Sequence, residues 1–242
     1  MADLTSFKGK SLITTRKIGP AADSLQERLR KSHQAKAAEQ ANGGTKPNRI
    51  LLLLDISGSM ASPDYGGSDT TPKIEHLRNA LQGFAESINS VDTSVAAATF
   101  PWKEGLILNP TSEQALIHLH AMRLDACGDT PMGQTMERGL SIFSITRGII
   151  ISDGDQTDGG RCFTAASQYA EARIPLDCVH IGSSEGGEET MKRIASTTGG
   201  LYIKFKDVGS FAKSLKYLSP QLRPLLADSS EAARLIGATE VR

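Results

Sequence analysis

Leu51-Leu52-Leu53-Leu54-Asp55-Ile56-Ser57-Gly58-Ser59 changes character within one residue. With Ile50 in front, it begins as an unbroken apolar run and then delivers a carboxylate and two hydroxyls. A short apolar run bounded by polar residues marks a strand buried on both faces, as in a parallel sheet. Asp55 then stands at the strand end, directed into the crevice above the sheet. Ser57 and Ser59 alternate on the turning loop, so both hydroxyls face one point. Gly58 is expected to let the backbone bend between them.

Outward from this stretch, strands and helices alternate. Thr71-Pro72 starts a helix with Ile74, Leu77, Leu81, Phe84 and Ile88 at helical spacing. Residues 94–100 read as a second strand, 105–108 as a short antiparallel one, and 113–122 as a short helix. Thr130-Pro131 opens the next helix, with proline at its first position. Strands at 147–152, 176–181 and 201–205 alternate with helices at 161–172, 188–198 and 208–218. This order predicts an α/β, doubly wound (Rossmann-like), mostly parallel central sheet. Helices cover both faces, one short antiparallel strand lies at an edge, and a helical extension precedes the domain. In such sheets the site lies beyond the carboxyl ends of the strands, where the winding direction reverses.

Three loops leave those ends, and each carries oxygen donors. The first holds Asp55, Ser57 and Ser59, the second Asp129 and Thr130, and the third Asp153, Asp155 and Asp158. Carboxylates and hydroxyls without His or Cys suit a hard cation: Mg²⁺, with Mn²⁺ or Ca²⁺ as alternatives. Neutral hydroxyl ligands leave such an ion short of negative charge, so it retains affinity for one more carboxylate supplied from outside.

At these residues the chain resembles the von Willebrand factor A domain family. The D-x-S-x-S pattern is Asp55-Ile56-Ser57-Gly58-Ser59. The second-loop threonine is Thr130 in Gly128-Asp129-Thr130-Pro131, and the third-loop aspartate is Asp153 in Ser152-Asp153-Gly154. Together they match the family's metal-ion-dependent adhesion site, over roughly residues 48–218. The resemblance implies that Ser57, Ser59 and, with ligand bound, Thr130 contact Mg²⁺ directly. Asp55 and Asp153 would act mainly through water, and a partner's Glu or Asp would complete the coordination. The family usually has Gly where Asp129 stands. Asp129 and Asp155 are therefore candidate auxiliary groups near the metal, each with a surface orientation as the alternative. The likeness is to stand-alone intracellular bacterial-type members. By analogy it implies an adaptor or assembly factor, with an AAA+ ATPase system as one partner.

Composition bounds the remaining alternatives. Lys+Arg and Asp+Glu are both 27 in 242 residues, so no global field recruits nucleic acid or membrane. Residues 1–49 hold ten basic against four acidic side chains, and the rest of the chain carries the opposite imbalance. Residues 1–47 read as a basic, partly helical extension, with Asp23 and Gln26 as a capping box. Residues 48–219 form the domain and 220–242 a tail with a weak helical signal at 231–236. Three widely spaced cysteines argue against a disulfide framework. The opening Met-Ala-Asp-Leu-Thr-Ser has no secretory pattern, so a cytoplasmic setting is expected. The expected function is a non-enzymatic, metal-dependent protein-interaction domain. A metal-dependent phosphohydrolase is a weaker rival, because Ser57 stands where that chemistry needs a second aspartate. A nucleic-acid scaffold using residues 1–47 is the third. Trp102 is a candidate recognition aromatic beside the site, with a core or loop-packing role as the alternative, and the polar loop at 62–71 a candidate specificity loop, with plain mobility as the alternative.

Overall fold

The computed structural model describes residues 48–242 other than 64–69, 90, 102–107, 143, 206–207, 221, 227–235 and 237. The basic extension, Trp102, the centre of the 62–71 loop and most of 231–236 lie outside the described residues. Among the described residues seven strands form one sheet: β1 (Asn48–Asp55), β2 (Thr93–Phe100), β3 (Leu108–Thr111), β4 (Arg147–Ser152), β5 (Leu176–His180), β6 (Tyr202–Phe205) and β7 (Ala238–Val241). Their order is β3-β2-β1-β4-β5-β6-β7. β1, β2, β4, β5 and β6 run parallel, whereas β3 and β7 are antiparallel. The helices are α1 (Lys73–Glu86), α2 (Gln114–Ala121), α3 (Met132–Ile142), α4 (Arg161–Glu171), α5 (Glu185–Thr198) and α6 (Val208–Ser214).

The leucine run is explained by its two neighbours in the layers. Leu52 and Leu54 enter one core with Leu77, Leu81 and Phe84 of α1. Leu51 and Leu53 enter the opposite core with Met132 and Met136 of α3 and Tyr169 of α4. The side-chain period of two gives each face of β1 a leucine pair. Each fully buried leucine contributes about 1.5–3 kcal/mol by leaving water. Gly139 allows α3 to lie close on this strand: a Cβ there would stand 2.6 Å from Leu51 Cδ2.

The expected α/β architecture is present, and two local expectations shift. The short antiparallel strand expected at 105–108 lies outside the described residues except for Leu108; Leu108–Thr111 is antiparallel and pairs with β2. Pro110 is tolerated in it because an edge strand leaves one side unpaired. The last helix stops at Ser214 and continues as a 3₁₀ turn over Leu215–Leu218. Ala238–Val241, within the segment read as a tail, adds a second antiparallel edge by pairing with β6. Among the described residues no helix is long and apolar enough to cross a membrane.

Candidate metal site

The sheet order puts β1 between β2 and β4, so chain leaving β1 and chain leaving β4 diverge around one crevice. The β1–β4 register sets Leu54 opposite Ile151, which brings Asp55 level with Ser152. Ser152 Oγ donates to Asp55 Oδ2 at 2.6 Å. Asp55 Oδ1 accepts from the Ser57 backbone N–H at 2.8 Å. Asp55 is fully buried. Burial, and then the nearby Asp153 charge, raise its carboxyl from 3.8 to about 6, against the lowering effect of these hydrogen bonds.

Ser57 Oγ and Ser59 Oγ lie 3.0 Å apart, so the two hydroxyls of the first loop share one point, as their alternation predicts. Gly58 differs from expectation. Its φ is outside the left-handed region, and an added Cβ would meet only Gly128 O, at 3.7 Å. The bend comes from a 3₁₀ turn over Gly58–Ala61 and needs no glycine-specific conformation.

Backbone pairs tie the loops together. Cys127 N–H donates to Ile56 O at 2.5 Å, and Gly58 N–H donates to Gly128 O at 2.9 Å. These bonds fasten the second loop to the first. Thr130 N–H donates to Thr157 Oγ1 at 3.2 Å, and Thr157 N–H donates to Thr130 O at 3.0 Å. That exchange fastens the second loop to the third. Thr130 is buried at the head of α3.

The third loop is held from two sides. Gly154 has φ +90, and a Cβ there would lie 2.5 Å from Gly187 Cα. Only glycine permits this conformation and this approach to α5. His180 Nε2 lies 3.0 Å from Asp153 O. Burial lowers the His180 pKa, favouring the neutral ring. Asp153 Oδ2 accepts from Lys73 Nζ at 2.8 Å. Asp153 Oδ1 is buried with no hydrogen-bond partner among the described residues.

The other acids sit differently. Asp155 is exposed, and its Oδ1 accepts from Ser184 Oγ at 2.6 Å. Asp129 is exposed on the second loop. Asp158 Oδ2 accepts from Gln134 N–H at 3.0 Å in the first turn of α3, while its Oδ1 is buried without a partner among the described residues. Among the described residues no three His, Cys, Asp or Glu groups gather at metal-holding distance. The donor set is therefore two buried carboxylates with hydroxyls. Such a set fits a hard divalent ion, and the orphaned Asp153 Oδ1 fits it too, since a buried carboxylate oxygen left unpaired is costly.

Sequence reasoning gave no role to Ser152, Lys73 or His180. Ser152 had a signal, because it immediately precedes Asp153. Lys73 and His180 had none: they meet Asp153 across 80 and 27 residues.

The fold and this crevice define a doubly wound α/β domain with a hydroxyl-rich, cation-suited centre. A model of the von Willebrand factor type A domain matches residues 50–218, and the chain belongs to that family. Its members often mediate protein–protein interaction and often bind a divalent metal. An uncharacterized protein of Mycobacterium tuberculosis is 28% identical over 152 residues, covering 56% of this chain and 23% of that one. The chain thus spans about a quarter of the length of the curated relative it matches.

Among solved structures, BatB from Bacteroides thetaiotaomicron superposes with TM-score 0.56 at 16% identity, over 77% of this chain and 99% of that one. The SpRpn10 VWA domain gives 0.52 at 12% identity, over 72% and 96%. Manganese-loaded TRAP protein from Plasmodium vivax gives 0.51 at 15% identity, over 73% and 74%. At such identities these likenesses establish the fold.

Proposed function

We propose that this domain is a divalent-metal-dependent protein-interaction module, an adaptor or assembly factor without catalytic activity of its own. The observation that carries the reading is the crevice between β1 and β4. There Asp55, Ser57 and Ser59 on one loop are tied to Thr130 and to Asp153, whose Oδ1 is buried without a partner among the described residues. The hydroxyls of Ser57, Ser59 and Thr130 would hold Mg²⁺, or Mn²⁺ or Ca²⁺, with Asp55 and Asp153 behind them. When bound, the ion supplies an electrophilic position for a Glu or Asp carboxylate of a protein partner.

The residues of this chain supply the rest. Ser152 and the Ser57 N–H aim the Asp55 carboxylate. His180 and the Gly154–Gly187 contact fix the third loop. The manganese-loaded Plasmodium relative supports a metal role by likeness. A cytoplasmic setting agrees with three cysteines that are free thiols.

The test is an affinity capture from a cell lysate with wild type, wild type in EDTA, and the Asp55→Ala/Ser57→Ala/Ser59→Ala variant. Partners that read the metal are retained by wild type in Mg²⁺ and lost in the other two arms. Identical capture in all three arms would refute the proposal. So would Mg²⁺-dependent turnover of a generic phosphate ester that Asp55→Asn abolishes.

A further inference from the structure

Lys73 spans the crevice. It is the first residue of α1, and its backbone N–H donates to Ser62 O at 3.1 Å, at the end of the 3₁₀ turn that carries Ser59. Its ammonium lies 2.8 Å from Asp153 Oδ2 on the third loop. The two side chains are only 8% and 9% exposed. A surface pair at this distance would contribute little. A buried lysine is costly unless a carboxylate compensates it, so this contact is a built feature of the crevice. A cation belonging to the chain thus already touches one of the carboxylates that the metal reading assigns to the ion.

We propose that Lys73 is a tethered counter-cation of the metal crevice. It shares Asp153 with the bound divalent ion, weakens the binding of that ion, and leaves the loaded crevice electropositive so that it takes an anionic ligand. This inference rests on the metal reading above.

The charge balance follows from the residues present. Asp55 and Asp153 together match the two charges of the ion, and the hydroxyl ligands are neutral. The Lys73 ammonium is then left over. Asp129 and Asp155 are exposed, and Asp155 is engaged by Ser184, so solvent and salt screen them from the crevice; Asp158, on the third loop, is set against the positive first turn of α3 through the Gln134 N–H. The surplus positive charge makes an incoming carboxylate a better ligand than a neutral group. The cost is a lower affinity for the ion itself, since ammonium and ion repel.

The test titrates Mg²⁺ into the full chain by calorimetry, using wild type, Lys73→Met, Lys73→Gln, Lys73→Arg and Asp55→Ala/Ser57→Ala. Repulsion between a divalent ion and a unit charge a few ångströms away lowers affinity by roughly tenfold even at a water-like dielectric. Lys73→Met and Lys73→Gln should therefore bind Mg²⁺ about tenfold more tightly than wild type, while Lys73→Arg stays close to wild type. Lys73→Gln keeps a hydrogen-bond donor toward Asp153, so it isolates charge from geometry and guards against a folding failure of Lys73→Met. In EDTA both neutral variants should melt below wild type, and saturating Mg²⁺ should raise their Tm by more than it raises that of wild type. A merely structural lysine would lower the Tm without tightening Mg²⁺ binding. If wild type binds Mg²⁺ and the neutral variants bind it equally or more weakly, the inference falls while the metal reading stands. If wild type binds no Mg²⁺, both fall.

Discussion

Two buried aspartates at opposite ends of the central strands have different surroundings. Asp177 lies near the start of β5, and both its oxygens are engaged. Oδ1 accepts from Leu201 N–H at 2.8 Å and from Arg223 at 3.0 Å; Oδ2 meets Arg147 at 2.5 Å and Arg223 Nε at 3.1 Å. Arg147 also donates to Leu218 O at 2.7 Å. Burial brings its guanidinium down to about 10, which leaves it charged at neutral pH. This cluster pins the segment after α6 to the lower edge of the sheet. Asp153 follows the end of β4 at the upper edge. One of its oxygens meets Lys73, and the other meets nothing among the described residues. A buried charge whose partners are complete holds structure. A buried charge left half-satisfied keeps capacity for a ligand, and beside it the Asp55 carboxyl is raised to about 6, first by its own burial and then by the Asp153 charge.

The sharpest way to break this contrast is to remove each carboxylate in turn. Asp177→Ala leaves the buried Arg147 uncompensated, which should cost about 3–5 kcal/mol in urea unfolding, while the folded protein keeps wild-type Mg²⁺ affinity. Lost Mg²⁺ binding with little loss of stability would reverse the assignment of the two ends.

Asp55 should behave in the opposite sense in metal-free protein. Its folded carboxyl holds its proton up to about pH 6, against 3.8 for the ordinary group. The native state therefore binds the extra proton between those values, and stability falls as pH rises through them. The Asp55 contribution is fully present below about pH 4 and is lost above about pH 6. The loss is about 3 kcal/mol. Unfolding in EDTA at pH 4.5 and pH 7 should show about 2 kcal/mol of this loss in wild type and none in Asp55→Asn, the first part having gone already below pH 4.5. Mg²⁺ needs the ionised carboxylate, so its affinity should fall as pH drops below 6.

Asp158 provides the smallest effect. Its Oδ2 serves the first turn of α3, so Asp158→Ala should cost about 1 kcal/mol, as for a lost helix cap. Mg²⁺ affinity should be unchanged, although Asp158 shares a loop with Asp153. A marked fall in affinity would extend the site to its Oδ1, which has no partner among the described residues.

The legible parts of the molecule were those whose causes are local. Ile50–Leu54 announced a strand buried on both faces, and the structure divides its leucines between two cores. Asp55, Ser57 and Ser59 are close in sequence and stay close in space. Thr130 and Asp153 stand out in the sequence because each lies on a loop at a strand or helix end and because both match the von Willebrand factor A pattern. What escaped depends on distant partners. Ala238–Val241 has weak apolar alternation, and its strand exists because the β6 edge is there to pair with it. Lys73 looks like an ordinary first-turn residue until the fold brings it to Asp153. Gly58 was assigned a bending role that the local 3₁₀ turn performs without it.

The most direct measurement of the central claim is a calorimetric Mg²⁺ titration at pH 7.5 of wild type beside Asp55→Ala/Ser57→Ala, with folding of both verified by circular dichroism. The account predicts saturable binding to wild type and none to the variant. Equal binding by both, or no binding by wild type, would contradict it.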